Sequence, residues 1–176
     1  MKKVLIVVDM QKDFVDGALG TKEAVEIVDD VVKEMKKDYD KVYLTRDTHQ
    51  SDYLNTQEGK NLPVEHCIEN TDGWQLDKKI EKAVKHLKDY TIINKPSFGS
   101  EKLVEEVKAY DAANKIESIT LVGLCTDICV VSNALLLKAA LPETPMMVIE
   151  KCCAGVTPDS HKAALTTMRA CQVKVI

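Results

Sequence analysis

The chain is poor in the residues that interrupt a fold: its 176 residues hold 7 glycines, 5 prolines and no Gly/Ser/Pro-rich stretch, so no interdomain linker or low-complexity tract divides it. It has no obvious internal repeat, which excludes a solenoid. Aromatics make up only 5% of the residues, and no basic cluster is interleaved with them. With a formal charge of −4, nucleic acid is not an expected partner. No apolar run is long enough to span a bilayer and no secretory signal is present, so the expectation is a cytoplasmic protein without a membrane partner. There are 6 cysteines, yet none falls into the paired spacing of a zinc ribbon, and Cys125 and Cys129 are four apart where a thioredoxin-type pair is three apart. In a reducing compartment the thiols are expected to be free, and most of them to be core residues.

What is present describes one globular domain over residues 1–176, 45% hydrophobic and 30% charged. Short β-branched runs alternate with longer amphipathic segments, the pattern of a parallel sheet covered on both faces: a three-layer α/β/α, Rossmann-like fold with a six-stranded parallel sheet. The expected strands are Lys3 to Asp9, Lys41 to Arg46, Tyr90 to Asn94, Ser118 to Val122, Met146 to Glu150 and Gln172 to Val175. The expected helices are Lys22 to Lys37 (apolar Val25, Val28, Val31, Val32, Met35), Leu76 to Leu87, Ser100 to Ala113, Ile128 to Ala140, and Pro158 to Ala170 with proline in its first turn. Thr48 to Gly73 fits neither pattern, and a loop of that length inside a compact domain is usually functional.

In an open parallel sheet the ligand site lies beyond the carboxyl ends of the strands. Asp9 closes the first expected strand, Arg46 and Asp47 follow the second, Lys95 the third, and the turn from Cys125 to Cys129 the fourth. Each alone has a bland explanation as a turn former, a helix cap or a surface charge. Together, a carboxylate, an ammonium and a thiol at the start of a helix suggest a nucleophilic site, because unpaired N–H groups and the helix dipole favour thiolate near neutral pH. The long loop adds His49 and His66, two of the 4 histidines, with Glu58 and the preceding Asp47. Imidazoles and carboxylates suit Zn²⁺, Mn²⁺ or Fe²⁺, although Asp-x-His alone recurs often by chance.

The segments Val7-Val8-Asp9-Met10-Gln11-Lys12-Asp13-Phe14, Thr45-Arg46-Asp47-Thr48-His49, Leu62-Pro63-Val64-Glu65-His66-Cys67, Asn94-Lys95-Pro96-Ser97-Phe98 and Gly123-Leu124-Cys125-Thr126-Asp127-Ile128-Cys129-Val130 give the chain its resemblance to the isochorismatase-like cysteine hydrolases, which include nicotinamidases. The most specific is the Thr-Asp-x-Cys-Val nucleophile motif with a preceding cis peptide, here Leu124-Cys125. The resemblance implies an amidohydrolase that releases ammonia from a small amide, nicotinamide foremost, through a thioester. Cys129 would be the nucleophile, Asp9 the general base and Lys95 the cation holding Asp9 anionic. The N–H groups of Cys125 and Cys129 would form the oxyanion hole.

The same resemblance places one divalent transition metal on Asp47, His49, Glu58 and His66, where it would bind a pyridine nitrogen. It also puts Phe14, Leu62 and Phe98 at the substrate, and a homo-oligomer is the expected assembly. Two departures bear on the substrate. Many nicotinamidases carry a further histidine shortly after Asp-x-His, but Gln50 to Thr56 has none, leaving Glu58 or Asp52 to complete the metal set. The residue before Pro63 is commonly aromatic and here is Leu62, for which Tyr53, Trp74 or Phe98 are candidate substitutes. Other readings are a small-amide or ureido hydrolase, a vinyl-ether-cleaving isochorismatase, which lacks the cysteine, and an idle α/β binding module.

Overall fold

A computed structural model describes residues 1–176. The chain runs β1 (Lys2–Val8), α1 (Lys12–Val15), α2 (Lys22–Met35), β2 (Lys41–Asp47), a 3₁₀ turn at Tyr53–Asn55, α3 (Gln57–Asn61), α4 (Lys78–Val84), β3 (Tyr90–Lys95), α5 (Glu101–Asn114), β4 (Ile116–Leu124), a π turn at Thr126–Val130, α6 (Val131–Ala140), β5 (Met146–Ala154), α7 (Pro158–Ala170) and β6 (Lys174–Val175). The six strands form one sheet in the order β3-β2-β1-β4-β5-β6, and every pairing is parallel. The β1 run is buried on both sides: Leu5 and Val7 pack into one core layer, and Val4, Ile6 and Val8 into the other. Helices α2 and α4 cover the first layer; α5, α6 and α7 cover the second. This is the expected three-layer α/β/α fold.

Several elements form as local chemistry dictates. Thr21 caps α2 by accepting from the Ala24 N–H at 3.0 Å. Ser100 does the same for α5 with Leu103 N–H at 3.1 Å. Thr157 and Ser160 make a capping box around Pro158 at the head of α7. The buried stripe of α2 is Ala24, Ile27, Val28, Val31 and Met35, while Val25, expected to face inward, is 50% exposed. Ala24 and Ile27 complete the 3.6-residue period that Val25 breaks.

The remaining differences lie at element ends. Both β4 and β5 run further than expected, to Leu124 and Ala154, because each pairs past its apolar run. The last strand shrinks to Lys174–Val175, since Gln172 adopts a left-handed φ of 65° just after α7. The chain winds β1, β2, β3 to one side and then crosses to β4 on the other flank of β1. That reversal opens a crevice between the carboxyl ends of β1 and β4, the place where parallel α/β sheets bind ligands. Gly123 sits there at φ +118°, where a Cβ would collide with the carbonyl oxygen of Val8, so only glycine lets β4 pass β1 this closely.

Candidate active site

At the crevice the chain turns sharply after β1, and Asp9 takes a left-handed φ of 47°, a conformation aspartate tolerates better than most residues. Its carboxylate is fully buried. The Thr45 hydroxyl donates to Asp9 Oδ1 at 2.6 Å, and the Asp9 N–H returns a hydrogen bond to Thr45 Oγ1 at 3.2 Å. Lys95, at the end of β3 and wholly buried, brings Nζ to 2.7 Å from Asp9 Oδ2. That approach is off the axis of a hydrogen bond, so Oδ2 has an ion-pair neighbour but no donor of good geometry. Lys95 Nζ also donates to Ser97 O at 3.0 Å, Asp47 Oδ1 at 3.4 Å and Cys129 Sγ at 3.4 Å.

Cys129 lies in the π turn that follows the cis peptide Leu124-Cys125. The turn is held from behind: Asn133 donates to the carbonyls of Cys129 at 2.8 Å and Phe98 at 3.1 Å, and accepts from Ser100 N–H at 2.9 Å. One side chain thus ties the cysteine turn to the loop after Lys95. The N–H of Cys125, past the end of β4, makes no backbone hydrogen bond.

The electrostatics differ from the sequence expectation of a thiolate maintained by a helix terminus. Burial pushes the Cys129 thiol well above its ordinary range, and the nearby Asp9 carboxylate pushes it further than Lys95 can pull it back. Burial also raises the Asp9 carboxyl, against the downward pull of Lys95 and Thr45. Lys95 stays charged despite its burial, because the Asp9 and Asp47 carboxyl groups hold its ammonium. The resting site therefore holds a neutral thiol beside a carboxyl of raised proton affinity, with one ammonium touching both.

The second cluster adjoins the first through Asp47, at the end of β2. Gln11 fixes that residue's backbone, donating to Asp47 O at 2.8 Å and accepting from Asp47 N–H at 2.7 Å. Asp47 Oδ2 lies 3.0 Å from His49 Nε2 and 3.5 Å from His66 Nε2. Glu58 Oε1 is 3.5 Å and 3.8 Å from the same two nitrogens. All four donor atoms fall within 4.8 Å of one another. His66 Nδ1 faces the Val64 carbonyl at 2.8 Å, which assigns the ring proton to Nδ1 and leaves Nε2 a free lone pair pointing into the cluster. Two histidines and two carboxylates that converge in this way fit a divalent transition metal. Burial alone would raise Asp47, but the His49 ring at 3.0 Å, the facing His66 ring and the Lys95 charge hold it well below the usual carboxylate range.

The long loop is not irregular throughout. Glu58 rides on α3, capped by Thr56, and Gly59 lets that helix touch the Tyr53 backbone, where a Cβ would collide. Asp52, the other candidate ligand, is exposed and outside the cluster. Tyr53 is buried against the rings of His49 and His66, at 4.6 and 5.0 Å between centroids, and donates to Leu62 O at 2.9 Å. Trp74 donates to the Thr48 hydroxyl at 2.8 Å beneath the Arg46 guanidinium. Neither lines the cleft that carries Leu62.

Leu62 and Phe98, 39% and 44% exposed, instead line a cleft of about 580 Å³ with Gln57, Glu58, Asn61, Ser97 and Ile128. Phe14 is not in that lining; it is buried with its ring 5.5 Å from His66. Thr45, Gln11 and Asn133 do not stand out in the sequence. Their only signal there is a polar residue inside an apolar strand or helix.

A buried thiol, carboxylate and ammonium at the switch point of an all-parallel sheet, beside a four-donor cluster, together with the fold, define an isochorismatase-like hydrolase. The Isochorismatase domain family matches residues 3–176, and the chain belongs to it. Among solved structures, the nicotinamidase/pyrazinamidase of Bacillus subtilis is 26% identical with a TM-score of 0.81, each chain covered over 99%. Likeness of fold extends to the pyrazinamidase/nicotinamidase of Streptococcus mutans (23% identity, TM-score 0.83, 99% of each chain). It extends also to a pyrazinamidase of Pyrococcus horikoshii in complex with zinc (24% identity, TM-score 0.80, 100% of this chain and 99% of that one). Comparison with curated protein sequences gives no significant match. No helix is long and apolar enough to cross a membrane.

Proposed function

We propose that this hydrolase is a cysteine-dependent amidase that releases ammonia from a small amide, nicotinamide being the first candidate. The observation that carries the reading is Lys95 Nζ within 3.4 Å of Cys129 Sγ and 2.7 Å of Asp9 Oδ2. Asp9 takes the thiol proton as Sγ attacks the amide carbonyl carbon. One negative charge passes from oxygen to sulfur inside a dry site, so the transfer adds no net buried charge, and Lys95 faces the charge at both ends. The tetrahedral oxyanion is received by the N–H groups of Cys125 and Cys129. Asp9 then gives its proton to the departing nitrogen, ammonia leaves, and a Cys129 thioester remains. Water, deprotonated by Asp9, attacks the thioester; the acid is released and the thiol regains its proton.

Asp47, His49, Glu58 and His66 are the residues that would hold a divalent transition metal, with Zn²⁺, Mn²⁺ and Fe²⁺ as candidates. When bound, the metal supplies a Lewis-acid contact for a substrate nitrogen, so that it orients the ring. Phe14 backs His66, and Leu62 and Phe98 flank the entrance as apolar walls for the acyl group. Gln57, Asn61 and Ser97 on the same cleft favour a second reading, a ureido or other hydrogen-bonding amide. Ammonia release from nicotinamide, pyrazinamide and several ureido acids, with and without added Zn²⁺, Mn²⁺ or Fe²⁺, separates the two. Turnover of the pyridine amides supports the first reading, and turnover only of ureido compounds the second. Ammonia from neither class refutes the amidase.

A further inference from the structure

We propose that Thr45 is a positioning residue that fixes Asp9 Oδ1 as a hydrogen-bond acceptor and so reserves Oδ2 as the atom that exchanges the proton with Cys129. The inference deepens the amidase reading and rests on it for the identity of the base. Thr45 is fully buried in β2, one strand away from Asp9, and its hydroxyl has one proton to give. Thr45 Oγ1 accepts from the Asp9 N–H at 3.2 Å, and its own proton is therefore directed to Asp9 Oδ1, 2.6 Å away. The two bonds form a reciprocal clasp, from the backbone of Asp9 to the hydroxyl and from the hydroxyl back to the carboxylate. It holds the side chain of a residue whose own backbone is in the left-handed region.

The other oxygen is in the opposite situation. Oδ2 is buried, without a well-aligned donor, and faces the Lys95 ammonium, which also contacts Sγ. In the proton transfer the Sγ–H bond breaks and an Oδ2–H bond forms, and the negative charge moves to a sulfur still in contact with Nζ. A proton placed on Oδ1 would oppose the Thr45 hydroxyl proton and leave that hydroxyl without an acceptor. A buried strand threonine is thus part of the acid–base machinery, although it touches no substrate.

The charged and titratable groups around Asp9 are Lys95 from β3, Asp47 from β2, Cys129 from the π turn, and the thiols of Cys125 after β4 and Cys67 in the long loop, and none of them is altered by substitution of Thr45. The test compares Thr45→Val, which keeps the shape and removes the hydroxyl, with Thr45→Ser, which keeps the hydroxyl. Two readouts are taken against pH: kcat/KM for ammonia release, and the rate at which iodoacetamide alkylates Cys129, followed on the Cys129 peptide by mass spectrometry. Loss of the hydroxyl donor disfavours the Asp9 carboxylate, so the acidic limb of both profiles moves to higher pH in Thr45→Val. kcat falls by up to about 10²-fold, the scale of a misplaced catalytic group, with little change in KM. Thr45→Ser restores the wild-type limb.

If Thr45→Val keeps the wild-type limb in both readouts, or Thr45→Ser behaves like Thr45→Val, the proposal is wrong. Should Thr45→Val not fold, Thr45→Ala against Thr45→Ser decides by the same profiles. The alkylation profile needs no substrate. If wild type shows a Thr45-dependent limb at Cys129 but releases ammonia from no amide, the amidase reading fails and the role of Thr45 stands. If amides are hydrolysed and the limb ignores Thr45, the reverse holds.

Discussion

Replacement of Lys95 by methionine, close to it in length, removes the one cation from a buried site with two carboxylates and a thiol. In the wild type Nζ stands 2.7 Å from Asp9 Oδ2 and 3.4 Å from Asp47 Oδ1, and no solvent reaches it. Stranding one partner of a buried ion pair destabilises a protein by about 3–5 kcal/mol, set against a total stability of about 5–15 kcal/mol. The loss is not uniform in pH. Burial already raises Asp9 in the wild type, and without Lys95 only the Thr45 hydrogen bond opposes burial and the Asp47 charge. A carboxyl whose folded pKa is raised binds more protons folded than unfolded, so stability declines as pH climbs from the unfolded pKa to the folded one. The decline is about 1.4 kcal/mol for every pH step of one between those two values. The deficit of Lys95→Met against wild type is therefore smallest at acidic pH and grows toward neutrality, because the variant's Asp9 is raised further than the wild type's. Urea unfolding followed by circular dichroism at several pH values between about 4 and 8 measures it, and Asp9→Asn added to Lys95→Met recovers part of the loss at neutral pH. A deficit independent of pH, or none at all, would refute the buried-pair account.

Gly123→Ala forces a Cβ against the Val8 carbonyl at φ +118°; backbone strain and overpacking of about 1–3 kcal/mol each lower the urea midpoint and displace Asp9, with a loss of turnover. A wild-type midpoint and activity would show that β1 and β4 can part freely. His49→Ala binds less metal than wild type by elemental analysis after reconstitution with Zn²⁺, Mn²⁺ or Fe²⁺. In the wild type, occupancy falls on acidification, because His66 must shed its proton to ligate and Asp47 and Glu58 raise its affinity for that proton against the opposing effect of burial. Equal metal content in the two proteins would remove the cluster from the account.

The strands were legible because each is a short β-branched run, and a parallel sheet buries such a run on both faces, as with Val4 to Val8. Ends were harder: β5 continues through Glu150 and Lys151, both exposed, to bury Cys152, Cys153 and Ala154. Helix α1 is four residues long and α3 five, too short to show a period. Asp9, Lys95 and Cys129 stood out because each carries ionisable chemistry at the carboxyl end of a strand or in the turn after one. Thr45 did not, since threonine is ordinary in a strand, and its hydroxyl acquires meaning only when β1 brings Asp9 beside it. Asn133 was hidden in the same way among the apolar residues of α6. The ionisation state of the thiol could not be anticipated from a motif, because it depends on complete burial beside Asp9, and burial is a tertiary property.

The central claim is that Cys129 is the nucleophile of an amidase, and Cys125, four residues earlier and also beside the crevice, is the natural control. Ammonia release from nicotinamide by wild type, Cys129→Ala and Cys125→Ala tests it most directly, with circular dichroism to establish that each variant is folded. Cys129→Ala is predicted to be inactive and folded, with Cys125→Ala retaining turnover, since the alanine keeps the N–H at that position. Near-normal turnover by Cys129→Ala, or Cys125→Ala as the one inactive variant, would contradict the claim.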